Sequence, residues 1–499
     1  MDYMLGLDIG TSGAKAVIVD TAGNIVGVGR REYGLATPRP GWAEQDPALW
    51  IDAAVRTTRE ALAQAAIRPH DIAAIGLSGQ MHTTVCLDRH GAPLRPAITW
   101  ADQRTAPQVQ AVYRRLGRER LAHWTQNPLA TGFTLANLLW LQENEPATYA
   151  AIAHVLLPKD YLRYYLTGEI GTDATDASGT SLMDVAAGRW NAELLDIFSI
   201  NPAIVPEIHQ SAAVAGTLRA EAASALGLRA DIPVAYGSAD QPAQAVGNGI
   251  IRPGVLSSTI GTGGQLLAPN AAPAYDPELR LHTFCHAVPN LWYNLAAILT
   301  AGLSFAWLRQ VLHADSYAAL ADEAAKAPPG ADGLFFLPHL AGERTPHMNP
   351  SARGVFFGLT LRHDRRHLAR AVMEGVVFSL RQGLELIKSL GVPVKRVIAS
   401  GGSTRHPLWL QLQADIYNAA VYQTRTEEAA AFGAALLGGV AAGMFGSIDD
   451  ACAATVRISD LVVQPDSGNV RLYDTLYRQY TELYPALSAR FQDLLDTTY

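Results

Sequence analysis

The sequence predicts an α/β protein of two domains, and three observations carry that expectation. The chain has 499 residues, past the ~250–300 at which a single hydrophobic core stops growing. Its opening reads strand, turn, strand, turn, strand, helix, strand, unlike the strand–helix–strand repeat of a dinucleotide-binding domain. Near the middle the same strand–glycine turn–strand pattern starts again.

Taken in order, residues 5–9 are compact and apolar, and Gly10, Thr11, Ser12 and Gly13 then turn the chain. Residues 14–20 form a second strand, 22–24 a second turn and 25–29 a third strand. After Pro47, the stretch 48–65 carries Leu49, Ile51, Ala54, Ala61 and Leu62 at helical spacing. A strand follows at 72–77. The restart comes at 256–260, followed by Gly261, Thr262, Gly263 and Gly264 and the apolar run 265–267. Gly10 and Gly261 lie 251 positions apart, about half the chain, so the two turns open corresponding halves. Pro253 and Gly254 punctuate the junction, and the division is placed at 1–245 and 246–499. A strand at 397–399 leads through Gly401 and Gly402 into a helix bearing Trp409, Leu412 and Ile416. The basic run 362–370 reads as a solvated helix start before an apolar helix at 371–380. The final helix, 469–495, places Leu472, Leu476, Tyr480 and Leu483 on one face, read as packing across both domains.

Composition narrows the function. A net charge of −7 argues against a nucleic-acid or anionic-membrane surface, while leaving room for an anionic ligand held by local positive potential. The three cysteines, Cys86, Cys285 and Cys452, are far apart and form no CxxC pair, which suits a reducing compartment. No apolar run approaches a membrane span, and the N-terminus enters a strand directly, so a cytoplasmic globular protein is expected.

Four clusters could carry chemistry. Asp8 ends the first strand just before the Gly10–Gly13 turn, and Lys15 follows it. Successive N–H groups of a glycine turn, with hydroxyl donors, can hold phosphate oxygens, and a carboxylate facing phosphate needs Mg²⁺ between them. The spacing is not that of a P-loop. Asp240 and Gln241 follow a strand and a small-residue turn. Asp240 can take a proton from an attacking hydroxyl, which Gln241 can orient; a plain helix-capping Asp is the bland alternative. Gln80, Met81, His82 and Thr83, with Trp100, Asp102 and Arg104 downstream, suit a polyhydroxylated ligand. Ser400, Gly401, Gly402 and Ser403 suit close approach by a nucleotide. His282, Cys285 and His286 have zinc-binding side chains, but three candidates at short spacing fall short of a four-ligand site.

These clusters, in this order, resemble the FGGY carbohydrate kinases of the actin-like ATPase superfamily. The resemblance is sharpest at Gly354 to Leu359 and on through His367, Leu368, Ala371 and Glu374. It extends through Trp42 to Pro47, Leu156 to Tyr161, Asp173 to Thr180 and Gly342 to His347. It implies two ribonuclease-H-like domains around a central cleft, using ATP and Mg²⁺ on a small sugar, with a homodimer as the assembly. By the same resemblance Asp240 is the general base, and Asp8 with Asp240 holds Mg²⁺. Thr11, Ser12 and Lys15 face the transferred phosphoryl group, and Gly261, Thr262, Gly302, Gly401 and Gly402 line the nucleotide. Met81, His82, Trp100 and Gln241 contact the sugar. The motifs are most similar to those of members acting on the ketopentose D-xylulose. Gln241, where Asn is common in those members, and Thr83, where Gly is common, leave other ketopentoses, polyols and sugar acids open. A sugar acid would require a cationic partner in the pocket. A nucleotide switch or non-catalytic sugar sensor is the reading from another class, and Asp240 beside a polar sugar cluster speaks against it.

Overall fold

The computed structural model describes residues 2–426 and 428–498. The expected opening meander forms from Tyr3–Ile9 (β1), Gly13–Asp20 (β2) and Ile25–Glu32 (β3). β1 and β2 stay in register from Tyr3 opposite Asp20 to Ile9 opposite Ala14. Helix α1 (Pro47–Ala65) begins with proline in its first turn, and the Asp46 side chain accepts from the Ala48 N–H at 2.9 Å, the arrangement that starts helices well. Strand β4 (Ile72–Gly79) then runs parallel to β1. Val214–Thr217 (β5), Pro233–Ala235 (β6) and the short Ser238–Ala239 (β7) complete the first sheet. Its order is β5-β6-β4-β1-β2-β3, with β7 beside the end of β4. Leu5, Leu7, Ile9 and Ile18 of this sheet pack with Trp50 and Ala54 of α1 in a buried core.

The second sheet repeats this plan. Gly254–Ile260 (β8), Gly264–Asn270 (β9), His282–Cys285 (β10) and Trp292–Ile298 (β11) make its antiparallel part. Val394–Ser400 (β12) runs parallel to β8 as β4 does to β1, and Ala420–Thr424 (β13) and Ile458–Val463 (β14) follow. The order is β10-β11-β9-β8-β12-β13-β14. The two glycine turns are closed alike, Gly10 N–H to Gly13 O at 3.0 Å and Gly261 N–H to Gly263 O at 2.9 Å. This is the pair of ribonuclease-H-like halves expected from the sequence.

Two further helices sit at the junction. α2 (Asp240–Gly247) leaves the first sheet, and α3 (Gly302–Val311) leaves the second-sheet turn region. α4 (Arg365–Ser389) buries Val372, Val376 and Leu380 in the second core, and α5 (Pro407–Tyr417) packs beside it. α6 (Ala429–Ala441) lies between β13 and β14 of the second sheet in the chain yet packs against β1 and β4 of the first. A Cβ on Gly76 would stand 1.7 Å from the Ala434 carbonyl oxygen, so only glycine allows that approach. Between β4 and β5, helices at Ala106–Leu116, Arg118–Thr125 and Thr134–Asn144 build a separate core around Leu121, Leu135 and Leu138.

Two expectations need correction. The last helix, α7 (Ser467–Thr498), does not bridge the domains. Tyr473 and Tyr480 are buried in the second core, and the Tyr473 hydroxyl donates to Glu374 at 2.7 Å. The basic run is solvated only in part. Arg365 and Arg366 are exposed, whereas Arg370 is buried and donates to Glu374 at 2.7 Å and to Tyr473 at 2.9 Å. Four residues apart, Arg366 and Arg370 lie on nearly the same face, and what separates them is the advance of the helix, about 6 Å, from its exposed start into the core. Among the described residues no helix is long and apolar enough to cross a membrane.

Candidate active site

Strand ends bring the first cluster together. Asp8 lies opposite Lys15 on β2 and beside Ser78 on β4, whose hydroxyl donates to Asp8 Oδ1 at 3.0 Å. Burial pushes the Asp8 pKa upward, against the pull of that hydrogen bond and the Lys15 charge. The carbonyls of the neighbouring turn are tied back: Tyr33 donates to Gly10 O at 2.6 Å, and Gln45 to Thr11 O at 2.7 Å. The N–H groups of Thr11 and Ser12 find no acceptor among the described residues, leaving donors for an anion.

Asp240 is the first residue of α2, directly after β7, which pairs with β4 through Ser238 opposite Ser78. Burial, with the charge of Asp8 second, raises the Asp240 pKa to about 7, although the Gln241 N–H donates to its Oδ1 at 2.7 Å. Asp8, Lys15, Asp240, Gln241, Gly401 and Arg405 are among the residues lining one polar cavity of about 760 Å³. An adjoining cavity of about 610 Å³ has apolar walls, including Leu303, Phe305, Tyr317 and Trp409 beside Gly261, Thr262 and Gly302. Gly402 and Arg405 border both. Gly302 N–H donates to Gly261 O at 2.8 Å, joining α3 to the second turn. Gly401 has φ 83° and ψ −175°, a region open essentially to glycine alone. An apolar slot leading into a polar, glycine-walled cleft suits a base and ribose followed by phosphates.

The sequence candidates at the sugar end separate. His82 is stacked on Phe133, ring centroids 3.8 Å apart, and its Nδ1 lies 2.6 Å from the Gly179 carbonyl. That carbonyl can only accept, so Nδ1 carries the proton and Nε2 is left as an acceptor. Burial lowers the His82 pKa to about 4, keeping the ring neutral. Met81 is buried, and the Tyr293 hydroxyl lies 3.9 Å from its sulfur. Trp100, 43% exposed, turns away toward the phosphate turn, donating from Nε1 to Thr11 Oγ1 at 2.7 Å. Gln241 faces the cleft with Asp8 and Gly401. Lys15 is held by Glu428 at 2.7 Å, which also binds Arg30 at 2.6 Å. Thr83 ties this region together, its hydroxyl donating to Gln80 at 3.0 Å and accepting from the Trp100 N–H at 3.3 Å.

Sequence reasoning missed several members. The apolar slot carries no signal, because Leu303, Phe305 and Trp409 read as ordinary helix-face residues. Lys159, Asp160, Arg163, Asp173 and Asp176 form a wholly buried charged network behind Asp240, with Lys159 Nζ 2.6, 2.9 and 3.1 Å from the three aspartates in that order. Thr175 donates to Asp173 and accepts from the Ala239 N–H at 2.8 Å, which fixes the backbone just before Asp240. Two cations face three carboxylates there. Burial and the other aspartates raise the Asp176 pKa well above the usual range, against the pull of Lys159. His282 and His286 are buried with carbonyl and amide partners, His286 Nε2 lying 3.1 Å from Ile250 O.

Gripping a row of negative charges between two glycine turns, while a buried acid is kept near neutrality beside them, is the task of an enzyme that moves phosphoryl groups. The chain belongs to the FGGY family of carbohydrate kinases, matching its N-terminal domain over residues 3–247 and its C-terminal domain over 256–442. It is an ATP-dependent sugar kinase. It is similar to the xylulose kinase of Lactococcus lactis, 36% identical over 99% of both chains. Among solved structures it resembles xylulose kinase from Rhodospirillum rubrum, with a TM-score of 0.91 and 34% identity, covering 98% of this chain and 100% of that one. It also resembles gluconate kinase from Lactobacillus acidophilus, with a TM-score of 0.93 and 30% identity over 99% of both chains.

Proposed function

We propose that the enzyme phosphorylates D-xylulose at the 5-hydroxyl by in-line transfer from ATP, with Asp240 as general base. The observation that carries this is the pairing of Asp240, its pKa near 7, with Asp8 and Lys15 in one polar cavity. A hydroxyl is a poor nucleophile, and a carboxylate poised near neutrality removes its proton as the bond to phosphorus forms. The 36% identity to a xylulose kinase over nearly the whole chain supports the choice of sugar.

Residues 1–245 are the half that holds the sugar and the first phosphate turn, and 246–499 the half that holds the nucleotide. Thr11, Ser12 and Lys15 meet the transferred phosphoryl group, and Gly261, Thr262, Gly302, Gly401 and Gly402 meet the nucleotide. Met81, His82, Trp100 and Gln241 serve the sugar, His82 through its free Nε2. Two half-buried carboxylates lining one cavity, the charge of Asp8 opposing ionisation of Asp240, fit a hard cation, and Asp8 with Asp240 would hold Mg²⁺. Mg²⁺ supplies neutralisation of phosphate charge, taking few protein ligands beside phosphates and water. The three buried, unpaired cysteines suit a cytoplasmic enzyme, and a homodimer is expected.

ADP release with Mg·ATP across D-xylulose, L-xylulose, D-ribulose, L-ribulose, glycerol, D-gluconate and L-fuculose tests the reading. Preference for D-xylulose supports it. Preference for another sugar keeps the mechanism and moves the acceptor. Silence on all seven, with ATP still bound, removes D-xylulose as the acceptor and raises the sensor reading or points to a sugar outside the panel.

A further inference from the structure

Arg344 stands on the loop after Glu343, and its guanidinium donates to His282 Nε2 at 2.8 Å. Guanidinium is donor-only, so His282 must be neutral with its proton on Nδ1, which lies 3.2 Å from Asn127 Oδ1. Asn127 is fixed in turn, its Oδ1 accepting from the Thr283 N–H at 3.0 Å and its amide donating to Thr283 O at 2.7 Å. The His282 ring stacks on Phe284 at 5.3 Å and lies 6.2 Å from Phe133, the ring that carries His82. The carboxylate nearest Arg344 in sequence, Glu343, accepts instead from His339, from the Leu299 N–H and from the Arg344 backbone N–H. The wall of rings runs on from His282 through Phe284 to Tyr293, 5.6 Å further, and Tyr293 feels the charge of Asp240. The Arg344 charge reaches His82 and His282. The row of rings therefore runs from Tyr293, near the acceptor Asp240, to His282, which holds the donor Arg344.

We propose that Arg344, oriented by the His282–Asn127 relay, is a specificity residue that binds an acceptor-only oxygen at the end of the substrate remote from the phosphorylated hydroxyl. This rests on the sugar-kinase reading above. A keto oxygen of a ketose supplies such an acceptor, and so does the carboxylate of a sugar acid. A polyol hydroxyl can accept from Arg344 too, but it is a weaker acceptor than a carboxylate and must turn its own proton to another partner, so it gains less from the contact.

The test compares wild type, R344Q and R344K in steady-state turnover of D-xylulose and D-gluconate, with D-arabinitol, the polyol made by reducing D-xylulose, as a competing inhibitor. ADP binding by calorimetry checks that each variant is folded. In R344Q the KM of the preferred substrate should rise about 10–100-fold, the range for a hydrogen bond to a charged group, with ADP binding unchanged. R344K should recover most of that loss, and the D-arabinitol inhibition constant should move less than about threefold by the same accounting. Wild-type preference for D-xylulose names the keto oxygen as the partner, and preference for D-gluconate names the carboxylate. An unchanged KM in R344Q overturns the proposal, as does a parallel rise in the D-arabinitol constant. If wild type turns over neither sugar, the failure lies in the reading beneath.

Discussion

The carboxylate of Asp8, at the end of the first strand, acts on Asp240 at the start of the helix Asp240–Gly247 and helps hold its pKa near 7. Ionising both in one buried cavity is unfavourable, so the protein keeps Asp240 at the midpoint between acid and base.

That relationship predicts a pH profile. A general base works only when ionised, so log(kcat/KM) should climb with unit slope below about pH 7 and level off above it. The kcat limb should lie at lower pH, because a cation beside the carboxylates favours their charged forms. Initial rates from pH 5 to 9 settle this, and a flat profile would remove Asp240 from the base role.

Replacing Asp240 by Asn should lower kcat by about 10²–10⁴-fold, the range for general-base catalysis, while ADP binding persists. Stability should move the other way. Because the folded pKa is raised, ionisation of Asp240 weakens the fold as pH rises from about 4 to about 7, and the loss levels off above that. D240N should therefore stabilise the ligand-free protein by about 2 kcal/mol at pH 8, and by less at pH 5. Urea denaturation at both pH values would show it.

Gly401→Ala should damage nucleotide binding selectively. Its backbone conformation costs a non-glycine residue about 1–3 kcal/mol, and the added Cβ would stand 2.5 Å from the Ile260 carbonyl oxygen. The expected result is a KM for ATP raised by about tenfold or more, with a smaller change in KM for the sugar. Equal changes in the two constants would argue that the loop does not belong to the nucleotide site.

The buried network behind Asp240 yields a contrast between two variants. Lys159→Met strands three aspartates without their central cation and should cost about 3–5 kcal/mol. Asp176→Asn removes the carboxylate whose ionisation burial and its neighbours oppose and should cost under about 1 kcal/mol. Chemical denaturation of both measures the difference, and similar losses would mean that Asp176 is ionised in the folded protein.

Parts of this site can be read along the chain because they are local. Asp8 at a strand end, the Gly10 and Gly261 turns and Gly401 announce themselves through the two-residue period of strands and the φ freedom of glycine. Their duplication is visible as an echo for the same reason. Asp240 is less legible, since an aspartate after a small-residue turn is also an ordinary helix start. Arg344, His282, Asn127 and Phe133 are scattered over distant segments with nothing along the chain to join them, and nothing local shows that the Trp100 indole also meets Thr11.

By itself the sequence determined the two-sheet plan, the order of its strands and turns, and the family to which the chain belongs. The plan and the order rest on periodicity and residue type within short windows, and the family on the resemblance of its motifs. Only the tertiary structure decided that Ala429–Ala441 crosses to the first sheet, that the last helix stays in the second core, and that Asp240 titrates near neutrality. Those outcomes depend on which distant residues come within a few ångströms and on how much water they exclude. Burial and through-space charge, not sequence neighbours, set both.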